Sequence, residues 1–289
     1  MIDDKQRRPS GAPSGQFCLG GREYRLGPAA ERGAVTAWPA AEAGGGVWDD
    51  VLIRRLRPGA GERQVRLFRL AWEAEAEQLD LPGARSLFFE QPESGCILRS
   101  FPKAPSLAAL FEQRPGPLPA EEALELTARL LRALEGFHSR GLLHLDIRAE
   151  QIYLLPGRRL FLDNCRALDM ERPEEDDLPR ALGPCAAPEL RLMNLAALDR
   201  ASDIFSCCAL LYRMLLGRPL TDAELMGTGL ARGLRQSLAR AQELPDARAD
   251  ELARLLWRGL HLLPQRRFSS ARELLGLVSG LRGGIEADA

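Results

Sequence analysis

The side chains best suited to metal or redox chemistry are few and poorly spaced for it. Six cysteines stand at positions 18, 96, 165, 185, 207 and 208. They form no Cys-x-x-Cys pair, and three scattered histidines complete no zinc signature. Reduced thiols in a cytoplasm are the expectation, with the adjacent Cys207 and Cys208 as small core residues. The acids are better placed. Residues 141–163 read GLLHLDIRAEQIYLLPGRRLFLD, with Asp146 two residues after His144, Gln151 five residues further on, and Asp163 at the end. A lone His-x-Asp arises by chance and marks a surface loop. Here it heads an ordered series: Asp163-Asn164-Cys165, Ala187-Pro188-Glu189, Asp203-Ile204-Phe205-Ser206 and Pro264-Gln265-Arg266-Arg267-Phe268-Ser269.

In that order and spacing the pieces resemble the protein kinase family. His144-Leu145-Asp146 stands where the family has His-Arg-Asp, Gln151 at its metal-binding Asn, and Asp163-Asn164-Cys165 at Asp-Phe-Gly. Ala187-Pro188-Glu189 matches the Ala-Pro-Glu motif outright. Asp203 opens a helix like the family's Asp-x-Trp-Ser, and Arg267 stands at the arginine that pairs with the motif's glutamate, here Glu189. The resemblance runs over roughly residues 20–282 and is firmest from 141 to 271. A small-molecule kinase of the aminoglycoside phosphotransferase type shares the His-x-Asp and a later metal Asp, but lacks Ala-Pro-Glu and its arginine.

The resemblance implies phosphoryl transfer, which rests on positioning and charge neutralisation more than on covalent chemistry. Asp146 would orient a hydroxyl nucleophile and accept its proton, with Arg148 as the second catalytic candidate of the same loop. Asp163 and Gln151 would hold Mg2+. Gly33, Val35, Arg54 and Glu75 would face ATP. Several of these depart from the family pattern. Only two lysines exist, Lys5 and Lys103, so Arg54 in Val51-Leu52-Ile53-Arg54 takes the place of the nucleotide-anchoring lysine. A guanidinium keeps the charge but is a wide planar fork. It is expected to pair with Glu73, Glu75 or Glu77 on the following helix while crowding the phosphates. The glycine-rich loop keeps only Gly33 and Val35, with Gly27 as a stand-in one residue out of place, so few backbone N–H groups can approach phosphate. Gln151 displaces the amide by one methylene, and Mg2+ tolerates little geometric error.

The machinery for activation is missing in a self-consistent way. Leu145 replaces the arginine that would hold a phosphorylated loop, and no Ser, Thr or Tyr occurs from Asp163 to Glu189. The threonine that precedes Ala-Pro-Glu in Ser/Thr kinases is absent from Gly183-Pro184-Cys185-Ala186. The acidic run 174–177 reads as a solvated loop. Two readings remain: a pseudokinase that binds ATP and Mg2+ weakly or not at all and acts on a protein partner, and a divergent active Ser/Thr-type kinase with a protein substrate.

The elements that must carry these residues follow from periodicity. Short apolar runs at 23–26, 34–38, 51–56, 87–90 and 96–100, broken by Gly and Pro, predict strands. Residues 64–79 predict one helix among them. Beyond Lys103 the pattern turns helical. Residues 119–140 carry apolar positions 124, 128, 131, 134 and 137, a strand pair follows at 151–155 and 160–162, and helices are expected at 202–216, 246–260 and 270–281. The expected fold is α+β and bilobal, like a protein kinase: a small β-rich lobe with one helix at 17–101, and a larger, mainly α-helical lobe at 102–282. Tails are expected at 1–16 and 283–289. The 289 residues, 45% apolar and 27% charged, exclude wholesale disorder. A net charge of −1 gives no global attraction to nucleic acid or an anionic membrane. No run is long enough to span a membrane and residues 1–16 are too polar for a signal peptide, so a cytoplasmic protein is expected.

Overall fold

The computed structural model describes residues 16–19, 21–32, 35–43, 51–79, 84–91, 94–100, 104–163, 168–170, 182–226 and 230–283. The tail residues 1–15 and 284–289, Gly33, Lys103, Asn164, Cys165 and the acidic run 174–177 lie outside the described residues. The chain divides into two units, Met1–Trp72 with Leu79–Lys103, and Glu73–Gln78 with Ala104–Ala289.

The first unit is an antiparallel sheet. Its strands are β1 (Gln16–Leu19), β2 (Arg22–Leu26), β3 (Ala30–Arg32), β4 (Val35–Glu42), β5 (Val51–Leu56), β6 (Arg85–Gln91) and β7 (Ser94–Ser100). They pair in the order β1-β2-β4-β5-β7-β6, with β3 hydrogen-bonded to β4. Side-chain alternation gives the sheet two apolar faces. Val51 and Ile53 of β5 join Tyr24, Ala40, Cys96 and Leu98 on one face. Leu56 joins Ile97, Phe68, Trp72 and Phe88 on the other, which helix α1 (Glu62–Gln78) covers. Trp72 Nε1 donates to Ser86 Oγ at 2.9 Å, giving its polar edge a partner within this packing. Gln16, expected in the tail, is the first residue of β1.

The second unit is mostly helical: α2 (Leu107–Gln113), α3 (Ala120–His138), α4 (Pro188–Arg191), α5 (Arg200–Leu216), α6 (Asp222–Met226), α7 (Leu230–Gln242), α8 (Asp246–Gly259) and α9 (Ala271–Gly283). The five apolar positions predicted for α3 are all buried, and α3 packs on α5 and α9. Helix α5 is buried along nearly its whole length. It starts in a capping box between Asp199 and Ser202 and ends at Gly217, whose φ of +71° only glycine adopts freely. Cys207 and Cys208 of α5 are fully buried, as small core residues should be. Burial pushes the Cys208 thiol up to about 12, so it stays protonated. Between α3 and α4 run the short strands β8 (Leu142–Leu143), β9 (Ile152–Leu155), β10 (Arg159–Leu162) and β11 (Leu168–Asp169), with β9 paired to β10 and β8 to β11. Asp169 of β11 pairs with Leu142 of β8. Among the described residues no helix is long and apolar enough to cross a membrane.

Candidate functional site

Two local devices fix residues 144–163. The first is Asp203, on the opening turn of α5 and fully buried. Its Oδ1 accepts the Leu145 N–H at 2.8 Å, and its Oδ2 accepts the His144 N–H at 2.8 Å and lies 2.9 Å from His138 Nε2. Burial alone would raise this carboxyl, but its bond to His138 and the backbone N–H of His144 hold it below the usual carboxylate range. The bonds also hold Leu145 at φ +56°, a left-handed conformation costing a γ-branched residue on the order of 1–2 kcal/mol. The second device is the β9–β10 hairpin, turned at Gly157 and Arg158, both at positive φ.

His144 links the two. Its Nδ1 accepts the Asp146 N–H at 3.3 Å, so the ring proton sits on Nε2 and is donated to the Asp163 carbonyl at 3.0 Å. Burial pushes His144 below the ordinary histidine range against the pull of Asp203, Asp146 and Glu75, which keeps the ring neutral. Phe137 meets it edge-on at 5.2 Å. The Asp163 N–H donates to the Gln151 carbonyl at 2.8 Å, and the Gln151 N–H donates to the Arg148 carbonyl at 3.0 Å. One short stretch of backbone therefore fixes Asp146, Arg148, Gln151 and Asp163. The Asp146, Gln151 and Asp163 side chains are buried, and Arg148 Nε lies 3.1 Å from Asp146 Oδ1. Gln151 and Asp163 supply one amide oxygen and one carboxylate, hard donors of the kind Mg2+ takes.

Of the three glutamates considered for Arg54, two are engaged by Arg140, which pairs with Glu77 and lies 3.8 Å from Glu73. Glu75 is fully buried. The end of α1 that carries it is tied down by Gln78, whose Oε1 accepts the Leu162 N–H at 2.8 Å.

In the sheet unit, Arg54 is only 6% exposed. It lies opposite Ile97, on the face that α1 covers. Val35 packs on that face too. Arg99, not singled out from the sequence, lies opposite Leu52 and so faces the same way as Arg54, at 3% exposure. Only the β5–β7 register could have found it. The stretch compared with a glycine-rich loop contains strand β3, with Glu31 opposite Thr36 of β4. Gly27 has a packing reason unconnected with phosphate. Its N–H donates to the Pro39 carbonyl at 2.7 Å, and a Cβ there would lie 2.9 Å from Pro39 Cγ.

Elsewhere in the second unit Glu189 and Arg267, both buried, meet in a bidentate pair at 2.7 and 2.9 Å.

Comparison with known proteins fits this geometry. The sequence matches the protein kinase domain over residues 86–276. It is similar to serine/threonine-protein kinase pkn2 of Myxococcus xanthus, 27% identical over 222 residues that cover 69% of this chain and 25% of the relative. Serine/threonine-protein kinase pkn3 of the same organism is 28% identical over 225 residues, covering 73% and 41%. A Wee1-like protein kinase of Oryza sativa subsp. japonica is 34% identical over 126 residues, covering 43% and 23%. The chain thus spans less than half the length of each of these relatives.

Proposed function

The chain belongs to the protein kinase family, and from that premise we propose that it is a pseudokinase, a kinase scaffold that binds a protein partner and transfers phosphate poorly or not at all. The observation that carries this reading is the pair Arg54 and Arg99. Both are buried on one face of β5 and β7, and the resemblance aligns Arg54 with the lysine that anchors nucleotide in the family. A guanidinium is a wide planar fork where the family has one slim ammonium, and Arg99 adds a second buried guanidinium on the same face. The scaffold is intact by contrast: Asp203 carries the 144–145 backbone, and Glu189 pairs with Arg267. A chain that keeps its architecture and changes its phosphate contacts suits a binding role.

Protein kinases use ATP with Mg2+ to neutralise phosphate charge. In this chain Asp163 and Gln151 would hold the ion. One carboxylate and one amide leave the remaining ligands to phosphate and water, so metal and nucleotide would bind only together, and weakly. Arg148 Nε lies 3.1 Å from Asp146 Oδ1. That is the observation favouring a second reading, a divergent active kinase in which Asp146 takes the proton of a protein hydroxyl and Arg54 serves as the anchor.

Thermal-shift titration with ATP, with and without Mg2+, separates the two. Wild type should show little stabilisation. Arg54→Lys with Gln151→Asn should gain metal-dependent binding. Micromolar Mg-ATP binding by wild type, or a rate of transfer that both substitutions lower, would refute the pseudokinase reading.

A further inference from the structure

The segment just ahead of Ala187-Pro188-Glu189 has no hydroxyl side chain and no arginine at position 145 to receive a phosphate, yet it is firmly held. Its anchor is Arg191, on the last turn of α4. The Arg191 guanidinium donates through Nε to the Ala186 carbonyl at 2.9 Å, through Nη2 to the Pro184 carbonyl at 2.8 Å, and through Nη1 to Asp222 Oδ1 at 2.9 Å. Three acceptors in three directions suit a planar fork and exceed what one ammonium can reach together.

Both ends of this clamp lead to fixed structure. Asp222 opens α6, and α6 is bound through Glu224. That carboxylate accepts from Tyr212 Oη of α5 at 3.0 Å, from Arg218 at 2.6 and 2.9 Å, and from the Thr221 hydroxyl at 2.8 Å. On the other side, the Ala186 N–H closes a turn on the Gly183 carbonyl at 3.1 Å. Gly183 lies against the aliphatic stem of Arg148, so closely that a Cβ at 183 would stand 3.1 Å from Arg148 Cδ. Arg148 Nε in turn is 3.1 Å from Asp146 Oδ1. A continuous series of contacts thus runs from α5 through α6 and Arg191 to the segment at 183–186, and on to Arg148 and Asp146.

We propose that Arg191 is a positioning residue that sets the 183–186 segment against Arg148 without any phosphate, so the setting of Arg148 beside Asp146 is built in and not switched. The proposal rests on the placing of Asp146 and Arg148 in the candidate site. Its test uses no nucleotide, so its failure is distinguishable from failure of the pseudokinase reading.

The test is NMR on the full chain in EDTA, following two signals: hydrogen exchange at the Ala186 amide and the Arg148 Nε–H resonance. Arg191→Ala should speed Ala186 exchange about ten-fold or more, as expected for loss of hydrogen bonds to a charged donor. It should also shift the Arg148 resonance, while exchange at residues 204–211 of α5 stays unchanged. Arg191→Lys should restore only part of both signals. Should Arg191→Ala fail to fold, Arg191→Lys carries the same test alone. Wild-type exchange at Ala186 in either variant would overturn the proposal, as would an unmoved Arg148 resonance in either. So would an equal rise across α5, which would mean general loosening.

Discussion

Replacing Arg267 with alanine probes the scaffold most sharply, because its environment allows the loss to be sized. The Arg267 side chain makes five hydrogen bonds: two to Glu189 at 2.7 and 2.9 Å, and one each to the carbonyls of Ala201 at 3.0 Å, His261 at 2.7 Å and Leu262 at 3.1 Å. Its guanidinium also lies 4.9 Å from the Phe205 ring. Arg267→Ala leaves the Glu189 carboxylate buried, with the Ser202 hydroxyl at 2.6 Å still donating to it. Breaking a buried pair from one side costs about 3–5 kcal/mol. At roughly 2–4 °C per kcal/mol for a chain of this order of size, the melting temperature should fall by about 6–20 °C. Circular dichroism at the helical wavelength, with heat and with urea, reads this directly. The control is Glu189→Leu with Arg267→Met, which removes both charges. It should recover much of the loss, because an apolar pair of similar volume carries no desolvation penalty. An Arg267→Ala protein melting within about 2 °C of wild type, below the smallest effect derived above, would refute the reasoning.

Gly259→Ala should destabilise by about 1–3 kcal/mol through overpacking, since the added Cβ would lie 2.2 Å from Cys208 Sγ. Cys208→Ala in the same chain should relieve part of this, and strict additivity in urea midpoints would argue against the contact. Stability should also fall as pH drops. Burial holds His144 below the ordinary value of about 6.5, and burial with the charges of Arg266 and Arg267 lowers His261 as well. The unfolded chain therefore binds more protons below about pH 6.5, and its share grows there. Asp203, held low, adds a further loss as pH falls through and below about 4. A urea midpoint that is flat or rising from pH 7.5 to 5.5 would contradict this assignment, as would a His144 ring that NMR shows titrating at or above the ordinary value of about 6.5.

The sequence alone determined the elements and much of the scaffold. Strand 51–56 and the helices around 64–79, 119–140 and 246–260 were legible because apolar period and breaker residues are local properties. Asp203 at the start of its helix and the Glu189–Arg267 pair were legible because motif order carries them across long separations. Helix α7 was not anticipated, since a glycine at 233 and a stripe as thin as Leu234 and Leu238 give a weak signal. Helix α2 was too short to show a period. What only the tertiary structure decided depends on register and on free space. The β5–β7 pairing turns Arg99 to the same face as Arg54, and shifting it by one residue would send Arg99 to the opposite face. Arg140 draws Glu73 and Glu77, leaving Glu75 as the buried member of the three. The close approach of Pro39 gives Gly27 its purpose, and β3 stands where glycine spacing suggested a loop. Arg191 looks like any arginine among 37 until its three acceptors, at 184, 186 and 222, are brought round it. Distance along the chain hides such contacts because they are made by packing, and packing is settled by the whole fold at once.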